Sequence, residues 1–137
     1  MNNDRYKSRI WDTVEKRYVD HLLIGVDGLL YELSGGGKAV SVEQGRYTRE
    51  ECTGLRDRNG KLIYEGDVVS VYNPLTDANN KCVVKWVENE ACYVCEYLYP
   101  DKVKRGCEFA SATGTYLDGL HCAVVGNIHD GRDESSH

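Results

Sequence analysis

Cys92-Tyr-Val-Cys95 has the spacing of half a zinc knuckle, and Cys107 and His121-Cys122 are further residues that could ligate a metal. A knuckle needs a tight glycine turn between its cysteines, whereas Tyr, Val and Ala around this pair read as a strand. In a strand that spacing sends Cys92 and Cys95 to opposite faces, so core thiols are expected and no metal. Gly35-Gly36-Gly37-Lys38 lacks the spacing, the Ser or Thr and the following helix of a phosphate loop, and reads as a flexible loop. His21, His121 and His129 could act as bases, but no pattern ties them to a nucleophile. Glu65 and Asp67 flank a glycine, and such a turn uses its acid to bond its own backbone. No enzyme activity and no cofactor are expected on this reading.

Two other groups suit binding. Trp86 lies in a strand with Tyr93, Tyr97 and Tyr99 close in sequence. It is most simply a core or barrel-mouth aromatic, and if exposed it would be a stacking platform for a planar ligand. Lys102-Val-Lys104-Arg105 is the densest basic cluster and is equally a solvated turn.

The elements that must position these residues are short. IWDTVEKRYV (10–19) suits a hairpin, and HLLIGVDGLLYEL (21–33) is two apolar runs around Asp27-Gly28, a two-residue hairpin signal. AVSV (39–42) reads as a half-buried strand running into a polar segment up to residue 51, where a short helix is expected. Asn59-Gly60 reads as a type I′ turn before the strand LIY (62–64), and VVSVY (68–72) resumes after Glu65-Gly66-Asp67. NPLTDANN (73–80) is a loop by composition, and residues 81–99 read as two strands joined at 88–90. HCAVVGNI (121–128) is a last strand, with a disordered tail expected over 129–137. The class is mainly β, with few or no long helices.

The totals agree with a globular chain. At 137 residues it can bury roughly two thirds of its unfolded surface without metal or disulfide. Ten tyrosines against one Phe fit pleated, half-buried surfaces. The tail 129–137 carries −2 of the net charge of −5, leaving −3 for residues 1–128, a poor partner for a phosphate backbone. Nucleic-acid binding is therefore disfavoured. No run of 18 apolar residues occurs, and MNNDRYKSR has no apolar signal core, so a cytoplasmic protein with reduced thiols is expected.

TGLRDRNGKLIYEGDVV (53–69) closely resembles the signature of the YopX family, small proteins of bacteriophages and prophages. Arg9-Ile-Trp11-Asp12 is similar to that family's Arg-Ala-Trp-Asp segment, Val125-Gly126-Asn127-Ile128 to its Val-Ile-Gly-Asn-Ile segment, and VKWV (84–87) to an apolar strand. The likeness covers about half the chain. It departs at His129-Asp130-Gly131, where the family has Tyr-Glu-Asn-Pro, and over 96–120. It implies one domain over 1–128, with a β lobe at 1–50 and an SH3-like small barrel at 51–128, often oligomeric, in an infected or lysogenic bacterial host. It brings no catalytic residues. Within the motif, Gly54, Gly60 and Gly66 are expected at turns, Asp57 and Asp67 on backbone amides, and Leu55, Ile63, Val69 and Val71 in the core. Two roles fit: a non-enzymatic accessory protein sequestering a nucleotide signal at an oligomer interface, or a module docking on a host or phage protein. For the first, Arg56, Arg58 and Lys61 would hold phosphate and Trp86 the base.

Overall fold

The computed structural model describes residues 3–73, 77–98, 114–116 and 122–130. Two compact units divide the chain, Ser8–Glu50 and Met1–Lys7 with Glu51–His137. The fold is mainly β: among the described residues strands make up 57% and no helix reaches seven residues.

In the Ser8–Glu50 unit, β1 (Ser8–Asp12) and β2 (Arg17–Val19) form the expected hairpin, with Ile10 opposite Val19 and Trp11 opposite Tyr18. Asp12 makes the turn between them. Its Oδ1 accepts the amides of Val14 and Glu15 at 2.9 and 3.1 Å, and Arg46 donates to both carboxylate oxygens at 3.0 and 2.7 Å. The Arg46 bonds, helped by the two amides, outweigh burial and hold this carboxyl well below the usual range. A meander follows: β3 (Leu23–Ile24), β4 (Leu30–Leu33) and β5 (Ala39–Ser41). The core here is Ile10, Val19 and Leu30, with Leu22, Val42 and Tyr47 packed on it. All of β5 is exposed, so Val40 does not bury as its alternation with Ser41 suggests. The expected short helix is one 3₁₀ turn, Gln44–Arg46. The Gln44 side chain takes the Leu30 amide and gives to the Leu30 carbonyl, both at 2.8 Å, as a strand partner would. The polar residues after it form β6 (Tyr47–Arg56), with Glu50 and Cys52 buried two positions apart.

β6 continues into the second unit and pairs with β7 (Leu62–Tyr64). The register slips between Cys52 and Arg56, at Gly54 with φ +83°. Gly54 therefore sits in a bulge rather than a turn, and the bulge leaves Leu55 42% exposed, outside the core. The 57–61 hairpin also differs from its expected type. Asp57 N bonds Lys61 O and Gly60 N bonds Asp57 O, which makes Arg58-Asn59-Gly60 a three-residue loop. Only Gly60 has positive φ, +83°. The reason is Asp57: its Oδ1 accepts Asn59 N at 2.9 Å, which favours right-handed backbone at 58–59 and leaves one left-handed residue. The same loop closes β3–β4 at Gly28 and β4–β5 at Gly37, so neither the two-residue turn at 27–28 nor a shapeless glycine loop is found.

The remaining strands are β8 (Asp67–Asn73), β9 (Ala78–Val87), β10 (Cys92–Tyr97), β11 (Gly114–Tyr116) and β12 (Cys122–Asn127). They form an antiparallel sheet in the order β11-β10-β9-β8-β12 that curls as half a barrel. Closure into an SH3-like barrel is not seen among the described residues. Its core is Ile63, Val69, Cys82, Val84, Cys95, Tyr97 and Cys122, with Val71 packed on it. Ile63, Val69 and Val71 thus serve as expected. Cys95 faces this core and Cys92 the other side of β10. Burial pushes the Cys82 thiol up to about 12 and raises the Cys95 thiol too, so these two are inert packing groups. β8 and β9 pair out to Asn73 and Ala78, so the expected loop is shorter than 73–80. His129 and Asp130 form a turn bonded to Asn127 rather than opening a loose tail. Residues 131–137 and 99–113, with Tyr99, Lys102–Arg105 and Cys107, lie outside the described residues, as does His121.

Asp57 ties this unit together. It is 5% exposed, and besides Asn59 it accepts Lys61 N at 2.9 Å and, through Oδ2, Val124 N at 2.8 Å. Arg58 N adds a bond to Cys122 O at 3.0 Å. Asp67 likewise accepts Tyr64 N at 2.8 Å across the Glu65-Gly66 turn. Burial raises the Asp57 pKa, but the Val124, Lys61 and Asn59 amides outweigh it and the net shift is downward. Asp57→Ala strands three amides and should cost on the order of 3 kcal/mol in urea unfolding. The unfolded carboxyl titrates near 3.9 and the native one below it. The contribution is therefore complete above about 3.9 and lost as pH falls through the native value, so wild type should lose more stability than Asp57→Ala across that window. Gly28→Ala strains only the backbone, by about 1 kcal/mol. Gly54→Ala should cost clearly more in the same assay, because its Cβ would come 3.0 Å from the Arg5 Cβ at an equally positive φ.

Candidate functional site

Of the four residues expected to bind a ligand, Arg56, Arg58 and Lys61 share the β6–β7 hairpin and Trp86 lies on β9. Arg56 is a brace, donating to Gly60 O at 2.8 Å and to the buried Asp4 at 3.1 Å. Arg58 and Lys61 are exposed on the same hairpin, whose own amides are spent on Asp57 and β12. Trp86 is 41% exposed, not in the core, and stands edge-on to Tyr93 with ring centroids 4.9 Å apart. Burial first, then the charges of Glu65 and Glu51, raise the Tyr93 pKa. An acidic neighbourhood of that kind suits a phosphate poorly.

A better arrangement lies in the Ser8–Glu50 unit. A cleft of about 630 Å³ opens along β1, β2 and the chain leading into β3. Arg9, Arg17 and Tyr18 supply its cationic and aromatic lining, Asp20 one carboxylate, and Leu22 and Ile24 an apolar wall. Hairpin register explains the grouping: Tyr18 pairs with Trp11, two residues from Arg9 on the same face, and the Trp11 and Tyr18 rings meet edge-on at 5.0 Å. The Arg9 guanidinium lies 4.8 Å from the Tyr18 ring centroid. Beneath both is Glu50, 2% exposed, whose Oε1 accepts Arg9 Nε at 2.7 Å and Tyr18 OH at 2.8 Å. Glu50 fixes both rotamers before any ligand arrives. Among the described residues the Arg17 side chain makes an exposed ion pair with Glu15 at 2.8 Å, a contact readily exchanged for a stronger anion. The Arg9 guanidinium, a ring face and an aliphatic wall can hold a planar molecule that carries phosphate or carboxylate, while Arg17, next to Tyr18 and so on the other face of β2, adds a second cation to the lining.

Arg9 was in view in the sequence only as part of Arg-Ile-Trp-Asp, and Arg17 and Tyr18 only as part of a hairpin. Pairing the two strands by register brings Arg9 and Tyr18 to one face, so that signal was present. Glu50 had none, being 41 residues from Arg9 and 32 from Tyr18.

A family model described as YopX protein matches residues 7–132. The chain belongs to the YopX family. Two solved structures are similar to this YopX chain. Protein yopX from Bacillus subtilis has 18% identity, a TM-score of 0.54 and coverage of 96% of both chains. Protein EF1440 from Enterococcus faecalis has 23% identity, a TM-score of 0.52 and coverage of 90% of this chain and 93% of its own. At these identities the likeness is one of fold. Among curated proteins nothing matches the chain. Among the described residues no helix is long and apolar enough to cross a membrane.

Because Arg9 and Tyr18 donate to one Glu50 oxygen, Arg9→Ala and Tyr18→Phe should be coupled in a double-mutant cycle. A coupling of about 0.5 kcal/mol or more is expected in urea unfolding, and strict additivity would show that Glu50 does not join them.

Proposed function

We propose that this YopX-family protein is a non-enzymatic binding protein that sequesters a small anionic ligand with a planar group, of the nucleotide class, in the β1–β2 cleft. The observation that carries this reading is the Arg9 guanidinium, held by buried Glu50 against the Tyr18 ring, with Arg17 in the same cleft. Arg and Tyr side chains placed in this way bind charge and stack on a ring. They supply affinity rather than bond-making, which favours capture over turnover. A phage-encoded accessory factor acting on a nucleotide signal in the host cytoplasm is the setting that suits such capture. A site near an oligomer interface would add to it by excluding water from the ligand.

A thermal-shift panel tests the reading directly, using cyclic di- and trinucleotides, ADP-ribose, common nucleotides and inorganic pyrophosphate. A ligand at about a hundred times its Kd adds about 2.7 kcal/mol, several degrees for a domain of this size. We expect a shift with at least one nucleotide that Arg17→Ala abolishes and that weakens with salt. Arg17 is exposed, so that variant folds. A flat panel, or a shift unchanged in Arg17→Ala, overturns the assignment.

A further inference from the structure

The β3–β5 meander leaves an unusual surface open. Leu23, Ile24, Val26, Leu29, Leu33 and Val40 are all exposed, Val26 completely (113%) and Leu33 to 61%. Of the residues in these three strands only Leu30 is buried. Scattered exposed leucines are ordinary, but six large apolar side chains within eighteen residues of a small sheet mark a surface that is covered in use.

Charge decides what covers it. From Leu23 to Glu43, past the Asp20 that lines the other cleft, the chain carries Asp27, Glu32 and Glu43 against Lys38 alone, a net −2. A second copy would bring two such faces of like charge together, and an anionic ligand would meet the same repulsion. A polypeptide that mixes apolar and basic side chains meets the charge and the apolar surface at once.

A small cleft shows where a basic side chain fits. It holds about 340 Å³ between the β3–β4 loop and β5, lined by Leu23, Ile24, Val26, Asp27, Tyr31 and Ala39. Asp27 is fixed there: Oδ1 accepts Leu29 N at 3.0 Å and Oδ2 accepts Tyr31 OH at 2.5 Å. The Tyr31 bond, with that of Leu29, keeps its carboxyl below the usual range and hence charged. Glycine at position 25 permits this packing, since a Cβ there would come 2.5 Å from Asp27 Oδ1 and 2.8 Å from the Tyr31 ring. A carboxylate beside a phenol ring and aliphatic walls is suited to Lys or Arg, whose stem packs on Leu23 and Ile24 while the head reaches Asp27. β3 and β5 are also the two edges of the sheet, so an extended partner has backbone groups to pair with.

We propose that the β3–β5 meander is a docking surface for an extended polypeptide partner combining apolar with basic side chains, one Lys or Arg entering the cleft beside Asp27 and Tyr31. The test uses three fluorescent synthetic peptides in which leucine alternates with arginine, serine or glutamate, with fluorescence polarisation and amide NMR as readouts. The Leu/Arg peptide should bind roughly tenfold tighter than Leu/Ser, and Leu/Glu should not bind. Its amide shifts should fall within residues 23–40. Val26→Ser removes only an exposed side chain, and Asp27→Asn keeps the acceptor for Leu29; each should weaken binding severalfold. Arg9→Ala and Arg17→Ala should leave peptide binding unchanged, which separates this surface from the anion cleft although Ile24 lines both. Equal binding of Leu/Glu, shifts outside 23–40, no binding of any peptide, or self-association abolished by Val26→Ser (a second copy as the occupant) would each overturn the proposal.

Discussion

One carboxylate bonded to backbone amides underlies the larger unit. Asp57 fixes its own hairpin through Asn59 and Lys61, and through Val124 it fastens that hairpin to a strand 67 residues away. An aspartate does this where an aliphatic residue could not, because a hairpin tip has backbone donors that need partners once they are buried. Asp67 repeats the device at the next turn, and Asp12 at the β1–β2 turn with Arg46 added. Asp4, Asp12, Glu50, Asp57 and Asp67 are all buried. In a protein of short strands with small apolar clusters, these acids join segments that burial alone would leave loosely registered. The price is exposure to acid at Asp12 and Asp57, whose carboxyls these bonds hold below the usual range and whose joints weaken when they take a proton.

The glycines follow from the same economy of turns. Three hairpins use one loop, each with its glycine last and near φ +80°. That single left-handed residue brings the strands round with the twist of the sheet, and none of the loop residues before it has positive φ. Gly54 serves differently, letting β6 bulge against Arg5. The dense motif at 53–69 is thus architecture: bulge, hairpin and tight turn in succession. Its cations are a brace and two exposed side chains, which is why ligand binding is better sought elsewhere.

The Ser8–Glu50 unit carries two surfaces of opposite character. Along β1 and β2, Arg9 and Arg17 line a cleft with Tyr18, and buried Glu50 orders it from below. Around β3–β5, acids surround apolar residues and a cleft holding Asp27. A buried acid shared by an arginine and a tyrosine removes rotamer freedom before binding, so less entropy is lost when a ligand arrives. The meander offers no comparable polar framework; its affinity would come from apolar area and one fixed carboxylate.

The sequence by itself determined the class, the family, most strand positions and the roles of Asp57, Asp67, Ile63 and Val69. These are local properties: alternation, turn chemistry and a contiguous motif are read within a few residues. Tertiary structure alone decided the loop type at Asn59-Gly60, the exposure of Leu55, Val40 and Trp86, and the partnership of Glu50 with Arg9 and Tyr18. A period-2 pattern says which residues share a face of a strand but not whether anything covers that face. Ends of strands such as Trp86, and sheets as small as β3–β5, extend past the core that their pattern implies. A hydrogen bond between residues tens of positions apart leaves no trace in spacing, so the buried carboxylate that orders Arg9 and Tyr18 was one that local reading could not see.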